Sequence, residues 1–191
     1  MTLLQYTACA LALAATPALA DGHANWATSD ATVAFGSVKK GTIGEVHHFE
    51  DVSGTVSEGG EVTLTIDLSS VETYIDIRNE RMLEHVFASI GSAELSGEVD
   101  MDDINELAVG ETEVVDFEGE VTLGAVSADV EAEMLVARLA EDRVLVTTAD
   151  FIMLSTADLG IDAGIDKLKE LASLPGITRA TPITVRAVFE K

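Results

Sequence analysis

Alternating apolar and polar residues recur in short runs along most of this chain. The run from Val62 to Leu68 alternates over seven positions, and residues 117–123 and 129–134 repeat the pattern on either side of a short turn. A period of two is typical of a β-strand that buries one face. Two more runs lie at 143–147 and 183–189, and weaker ones at 32–35, 44–49, 51–56, 93–99 and 151–155. This spacing predicts roughly eight to ten short strands, and therefore an all-β barrel or sandwich.

Two segments depart from the strand pattern and predict short helices. Residues 77–87 are rich in helix formers, and residues 164–174 place apolar side chains on one helical face before Pro175-Gly176 ends the run. A third segment, 100–106, is rich in carboxylates but lacks the spacing of a calcium-binding EF-hand loop, because Ile104 stands where an oxygen ligand is needed. We interpret it as a solvated acidic loop.

The first twenty residues carry no Asp, Glu, Lys or Arg, and they end in Ala18-Leu19-Ala20 after an apolar run. This pattern predicts a Sec-type signal peptide, residues 1–20, cleaved after Ala20. The apolar stretch is too short to cross a membrane, so we expect no stable membrane insertion. Residues 21–191 are then a single exported domain, which we expect in the periplasm and which lacks the only cysteine, Cys9.

The charge balance excludes several kinds of partner. With 11 Lys and Arg against 34 Asp and Glu, the chain has a formal net charge of -23. Such an acidic protein does not bind nucleic acid, which requires clustered basic residues facing phosphates. It also does not dock electrostatically on an anionic membrane surface.

The few basic residues are informative because of their positions. Between residues 21 and 137 they form only two pairs, Lys39-Lys40 and Arg78 with Arg81. Arg78 and Arg81 are three residues apart in a predicted helix and share one face, where they could contact a phosphate-bearing head group. The alternative is that both arginines simply pair with neighbouring residues such as Glu72, Glu80 or Glu84.

No motif in the sequence predicts catalysis or metal binding. His47 and His48 are adjacent, so in a strand they face opposite sides and do not share one ion. The chain has no zinc-protease motif, nucleophile elbow or glycine-rich phosphate loop. We therefore expect no metal site, no catalytic residues and no enzyme.

Three stretches resemble the YceI-like family. Leu68 to Thr73, Arg78 to Leu83 and Val86-Phe87 are similar to its central signature, a Ser-Val-x-Thr strand end followed by a helix start and a Phe pair. Residues 33–35, Gly54 and residues 117–124 resemble other parts of the family in the same order. The resemblance implies an extended, lipocalin-like antiparallel β-barrel of about eight strands with one or two short helices, exported to the periplasm.

The resemblance also implies that the barrel holds an isoprenoid or similar long-chain amphiphilic lipid, such as a quinone-like one, and no other cofactor. In a barrel, inward-facing core positions are also the cavity lining. We therefore predict that the lining includes seven apolar residues: Phe35, Phe49, Val71, Phe87, Phe117, Leu123 and Phe151. A homodimer is an alternative assembly. The competing functions are a ligand-free β-sandwich for interaction or stress protection, and an isoprenoid-modifying enzyme with polar groups in its cavity.

Overall fold

The computed structural model describes residues 24–191, with side chains from Trp26 onwards, so the predicted signal peptide lies outside the described residues. This part of the chain contains eleven strands and three short α-helices. The strands are β1 (Ala24–Lys39), β2 (Ile43–Phe49), β3 (Val52–Ser57), β4 (Glu61–Asp67), β5 (Val71–Glu72), β6 (Ser92–Glu98), β7 (Thr112–Leu123), β8 (Val126–Ala140), β9 (Arg143–Thr148), β10 (Ile152–Ser155) and β11 (Ala180–Glu190). The helices are α1 (Asp76–His85), α2 (Met101–Glu106) and α3 (Asp162–Leu171), and a single 3-10 turn, Leu68–Ser70, joins β4 to β5.

Eight of the strands form a closed antiparallel ring. Their order around the ring is β11-β9-β8-β7-β6-β4-β3-β1, and β1 pairs with β11 from Ala27–Glu190 to Phe35–Ile183 to complete it. The predicted all-β, lipocalin-like barrel is therefore confirmed. The alternative architecture of two packed sheets is wrong, because closure leaves no pair of separate sheets.

The three remaining strands lengthen one end of the barrel. The first part of β1 pairs with β3, whereas Val33 to Lys39 pair with β2, which in turn pairs with β5. In the same way β11 pairs first with β10 and then with β9. We call the end that carries β2, β5 and β10 the upper end, and the end that carries Trp26 and α2 the lower end.

All ten predicted strand segments are strands, generally longer than the alternating runs suggested. The interpretation of residues 100–106 as a solvated loop is wrong, because they contain helix α2. The Asp100 side chain caps this helix by accepting a hydrogen bond of 2.9 Å from the Asp102 N–H, and Met101 and Ile104 are buried against the barrel.

Helices α1 and α3 pack against each other at the upper end. Gly164 of α3 lies so close to α1 that a Cβ atom there would be 2.5 Å from the His85 carbonyl oxygen and 2.7 Å from the Val86 Cα. Arg179 fixes α3 to the start of β11 by donating to the Asp162 carbonyl oxygen at 3.0 Å and to the Asp166 carboxylate at 2.6 Å. Within residues 24–191, none of the helices has the length and apolar character needed to span a bilayer.

Candidate ligand-binding cavity

The barrel interior contains two cavities that adjoin along its axis. The upper cavity has a volume of about 460 Å³ and extends from the upper end to the middle of the barrel. The lower cavity is much smaller, about 80 Å³, and only apolar side chains line it. Four side chains line both cavities and mark the place where they meet: Leu64, Leu95, Ile152 and Val185.

Most of the predicted lining residues face this interior. Phe35, Phe49, Phe87 and Leu123 line the upper cavity, and Phe117 lines the lower one. The rings of Phe35 and Phe49 stack with their centroids 5.1 Å apart, and the ring of Phe87 lies 5.7 Å from that of Phe49. These rings form a continuous aromatic part of the upper wall.

Two predicted lining residues lie elsewhere. Val71 is buried in the core but lines neither cavity. The prediction that Phe151 faces inward is wrong, because its side chain is 69% exposed. The chain is irregular between β9 and β10, and β10 begins at Ile152. The side chains of Ile152 and Leu154 face the cavity, so those of Phe151 and Met153 face solvent.

The wall built from β1 and β2 changes from charged to apolar with depth. Near the upper end Lys39 and Glu45 form an ion pair of 2.8 Å. In the register of the two strands Glu45 lies opposite Ser37. One step further inward lie Phe35 and His47, and then Val33 and Phe49. A ligand that enters from the upper end therefore meets charged groups first and apolar ones below.

Positive charge is concentrated at the rim of the upper cavity. All four basic residues found between residues 21 and 137 line it, together with a single carboxylate, Glu45: Lys39, Lys40, Arg78 and Arg81. Of these four, Lys40 is exposed, and Ile75 and Ile77 beside them are 44% and 50% exposed. The rim is therefore an open, cationic spot on a protein whose net charge is -23.

The two arginines of α1 differ in how they are held. Arg78 donates to the Glu45 carboxylate at 2.9 Å and to the Thr73 carbonyl oxygen at 2.5 Å. Among the described residues no carboxylate lies within ion-pair distance of Arg81. Arg78 therefore pairs with a glutamate, but with Glu45 rather than with Glu72, Glu80 or Glu84, and the described residues show no such pair for Arg81.

The contacts of Thr73 explain why Arg78 points at the rim. Thr73 is 1% exposed, its N–H donates to the Asn79 side-chain oxygen at 3.0 Å, and its hydroxyl donates to the same oxygen. These bonds tie the first turn of α1 to the end of β5. The Arg78 side chain is then within reach of both the Thr73 carbonyl and Glu45.

The electrostatic environment of the rim sets the protonation of Glu45 and His47. Burial would raise the pKa of the Glu45 carboxyl, but hydrogen bonds from Lys39 and Arg78 and their positive charges outweigh burial and hold this pKa below its ordinary value. Burial, reinforced by the positive charge of Arg78, lowers the pKa of His47 to about 4, against a smaller opposing effect of Glu45. Glu45 is therefore anionic and His47 neutral near pH 7.

His47 is the deepest polar group on this wall. It is 4% exposed, and its Nε2 forms a hydrogen bond of 3.1 Å with the Ser37 hydroxyl. Its Nδ1 has no hydrogen-bond partner among the described protein atoms. In the described residues, no three His, Cys, Asp or Glu side chains come close enough to hold a metal ion.

The segment between β10 and β11 contributes more to the cavity than the sequence suggested. Nine of its residues line the upper cavity: Thr156, Leu159, Ile161, Ile165, Leu168, Ala172, Leu174, Ile177 and Thr178. The apolar face predicted for α3 was the only signal for this role. The irregular stretch after α3 reaches the rim through backbone hydrogen bonds to the end of β1, from Lys40 to Gly176 and from Thr178 to Val38.

Similarity to solved structures agrees with this arrangement. A polyisoprenoid-binding domain from Saccharophagus degradans, implicated in plant cell wall breakdown, is 34% identical, with a TM-score of 0.83 over 87% of this chain and 98% of that one. BcnA of Burkholderia cenocepacia is 14% identical, with a TM-score of 0.63 over 83% of this chain and 95% of its own.

A mutant CJ YceI protein is 13% identical, with a TM-score of 0.50 over 76% of this chain and 84% of its own. The similarity to BcnA and to the CJ YceI protein concerns the fold alone. A scan against protein-family models and a search of curated proteins gave no match.

Proposed function

The chain belongs to the YceI-like family, and on that basis we propose that it binds an isoprenoid or similar long-chain amphiphilic lipid in its barrel. The observation that carries the proposal is the upper cavity, whose walls are apolar in the middle of the barrel and cationic at the rim. Its volume of about 460 Å³ lies within the range of small-molecule sites, roughly 300–1,000 Å³. The polyisoprenoid-binding domain from Saccharophagus degradans supports the same class of ligand.

The hydrocarbon tail supplies most of the binding free energy in this proposal. Each methylene removed from water contributes about 0.8 kcal/mol, so ten contribute on the order of 8 kcal/mol before the cost of association. The rings of Phe35, Phe49 and Phe87 provide the surface against which this tail packs. Few polar contacts are needed for affinity, and those present at the rim select the head group.

The rim favours an anionic head group such as a phosphate. Lys39, Lys40, Arg78 and Arg81 line it, and Glu45 is the one carboxylate among the lining residues that the structure describes. Hydrogen bonds in which both partners are charged are shorter and stronger than neutral ones, and an arginine can bind a phosphate through two of its nitrogens. The head group then remains at the open rim while the tail lies below.

The proposed role is binding rather than catalysis, in an exported protein. Glu45, the carboxylate at the rim, is engaged by Lys39 and Arg78, and the deepest polar residue, His47, bonds to the Ser37 hydroxyl and packs against the Phe35 ring. Export to the periplasm rests on the predicted signal peptide of residues 1–20. Mass determination of the protein recovered from the periplasmic fraction tests this, and a chain that retains residues 1–20 would contradict it.

Lipid binding is tested by organic extraction of the purified protein followed by mass spectrometry. We expect wild type to yield a long-chain isoprenoid or related amphiphile. Leu154→Trp, which places an indole in the upper cavity, should lose it, whereas Met153→Trp should retain it because the neighbouring Met153 is 58% exposed on the outer face. Equal lipid content in both variants, or none in wild type, would contradict the proposal.

A further inference from the structure

The lower cavity lies at the far end of the barrel from the cationic rim. It adjoins the upper cavity at four side chains, one each from β4, β6, β10 and β11: Leu64, Leu95, Ile152 and Val185. A void lined only by apolar groups stays free of water, and its lining lacks dispersion contacts on one side. Such a void is suited to the end of a hydrocarbon chain.

A pair of glycines shapes the wall of this lower cavity. Gly97 and Gly119 are directly opposite each other on β6 and β7. A Cβ atom on either one would lie 2.6 to 2.7 Å from the tip of the Phe117 ring. The tip of the ring therefore occupies the space that side chains at these two positions would fill.

Helix α2 and Trp26 close the floor of the lower cavity. Met101, Ile104 and Trp26 line it, and all three are buried. The buried Arg138 holds α2 in place by donating to the Ile104 carbonyl oxygen at 2.6 Å, and its guanidinium lies 5.4 Å from the Trp26 ring centre. A tail that reaches this floor has no further apolar space to fill.

We propose that the lower cavity is a subsite for the end of the ligand tail and that it sets the longest tail the protein binds favourably. This inference rests on the proposed function and adds a chain-length preference to it. Each further methylene that enters the cavity should raise the affinity about fourfold. The gain should stop when the tail reaches the floor formed by Trp26 and α2.

The experiment uses alkyl phosphates of increasing length that carry a bromine on the terminal carbon. Trp26 is the only tryptophan of the chain and lines the lower cavity, so quenching of its fluorescence by bromine reports the arrival of the tail end. Affinity is measured by calorimetry on the same series. We expect short members to bind without quenching and longer ones to bind more tightly and quench.

Two variants on β9 distinguish an effect of filling the lower cavity from an effect of reduced stability. Val146→Phe fills the lower cavity, whereas Leu145→Phe changes the neighbouring residue, which lines neither cavity. Val146→Phe should bind short members as wild type does and long members at least about tenfold more weakly, since two or more methylenes are displaced. Leu145→Phe should match wild type, and melting temperatures of both variants report their folding.

The wild-type series alone decides the inference if Val146→Phe does not fold. Binding with quenching that is independent of tail length, or without quenching at any length, would overturn the lower subsite and leave the proposed function standing. The same holds if Val146→Phe weakens every member equally. If wild type binds no member of the series, the proposed function fails, and the tail subsite fails with it.

Discussion

Arg81 lies at the rim of the upper cavity without a carboxylate partner among the described residues, which distinguishes it from Arg78 beside it. A side chain whose charge is not already compensated is available to a ligand. Arg78, by contrast, also contacts Glu45 and Thr73, so its removal would disturb the rim itself. Arg81 is therefore the residue at which head-group recognition is tested most cleanly.

Replacement Arg81→Gln should weaken the binding of a prenyl phosphate by about tenfold and leave the corresponding prenyl alcohol unchanged. A hydrogen bond to a charged group contributes about 1.5–3 kcal/mol, reduced here because the site is partly exposed. Calorimetric titration of both ligands measures the effect. Arg186→Gln is the matched control, because Arg186 is exposed on the outside of β11 and pairs with Asp30. Equal weakening for alcohol and phosphate would contradict head-group recognition.

His47 should make the stability of the protein depend on pH. Its pKa falls from 6.5 in the unfolded chain to about 4 in the folded barrel, so the unfolded state takes up the proton first as pH decreases. Stability is unaffected above pH 6.5 and is lost progressively between pH 6.5 and 4. The loss is on the order of 3 kcal/mol, at 1.36 kcal/mol for each pKa unit.

Urea unfolding of wild type and His47→Gln at several pH values measures this contribution. The variant should lack the part of the stability loss that wild type shows between pH 6.5 and 4, because glutamine does not titrate. His48→Gln, on the opposite face of β2, serves as the control and should retain that loss. If the two variants show the same dependence on pH, burial of His47 is not its cause.

At the scale of elements, helices α1 and α3 pack closely together at the upper end because residue 164 has no side chain. The atoms that a Cβ would meet are backbone atoms of His85 and Val86, which do not move aside as a flexible side chain would. The two helices carry two of the four basic rim residues and part of the apolar wall: Arg78, Arg81, Met82, Ile165 and Leu168. Their separation should therefore affect ligand binding as well as stability.

Replacement Gly164→Ala should lower the free energy of unfolding by about 1–3 kcal/mol and weaken lipid retention. Alanine is favoured over glycine in a helix by about 1 kcal/mol, so a net loss would show that the clash outweighs helix propensity. Chemical denaturation and the extracted lipid content measure the two effects. Gly176→Ala is the control, since a Cβ there meets no atom within 4 Å. A stabilised Gly164→Ala variant would contradict the close packing.

The strands could be predicted from the sequence, whereas the residues that line the cavity could be predicted only in part. Alternation reports which strand face is buried, so β4, β7 and β11 were evident from the sequence. The phase of alternation is lost where a strand is interrupted, and for this reason Phe151 was placed on the wrong face. The apolar residues between β10 and β11 follow no strand period, so their contribution to the cavity depends on tertiary packing.

At the scale of the whole molecule, two opposite ends of one barrel have different chemistry. The upper end is open, wide and cationic, and the lower end is closed by α2 and Trp26. The sequence showed that basic residues were few and paired, but only the pairing of β1 with β2 and the position of α1 bring Lys39, Lys40, Arg78 and Arg81 to one rim. A ligand with a charged head and a long tail fits this polarity in one orientation only.

The most direct test of lipid binding is a crystal structure of the protein grown with a prenyl phosphate. We predict continuous electron density along the upper cavity, with the phosphate within hydrogen-bonding distance of Arg81 and the tail beside the rings of Phe35, Phe49 and Phe87. Density only outside the barrel, or an upper cavity collapsed by repacked side chains, would contradict the account.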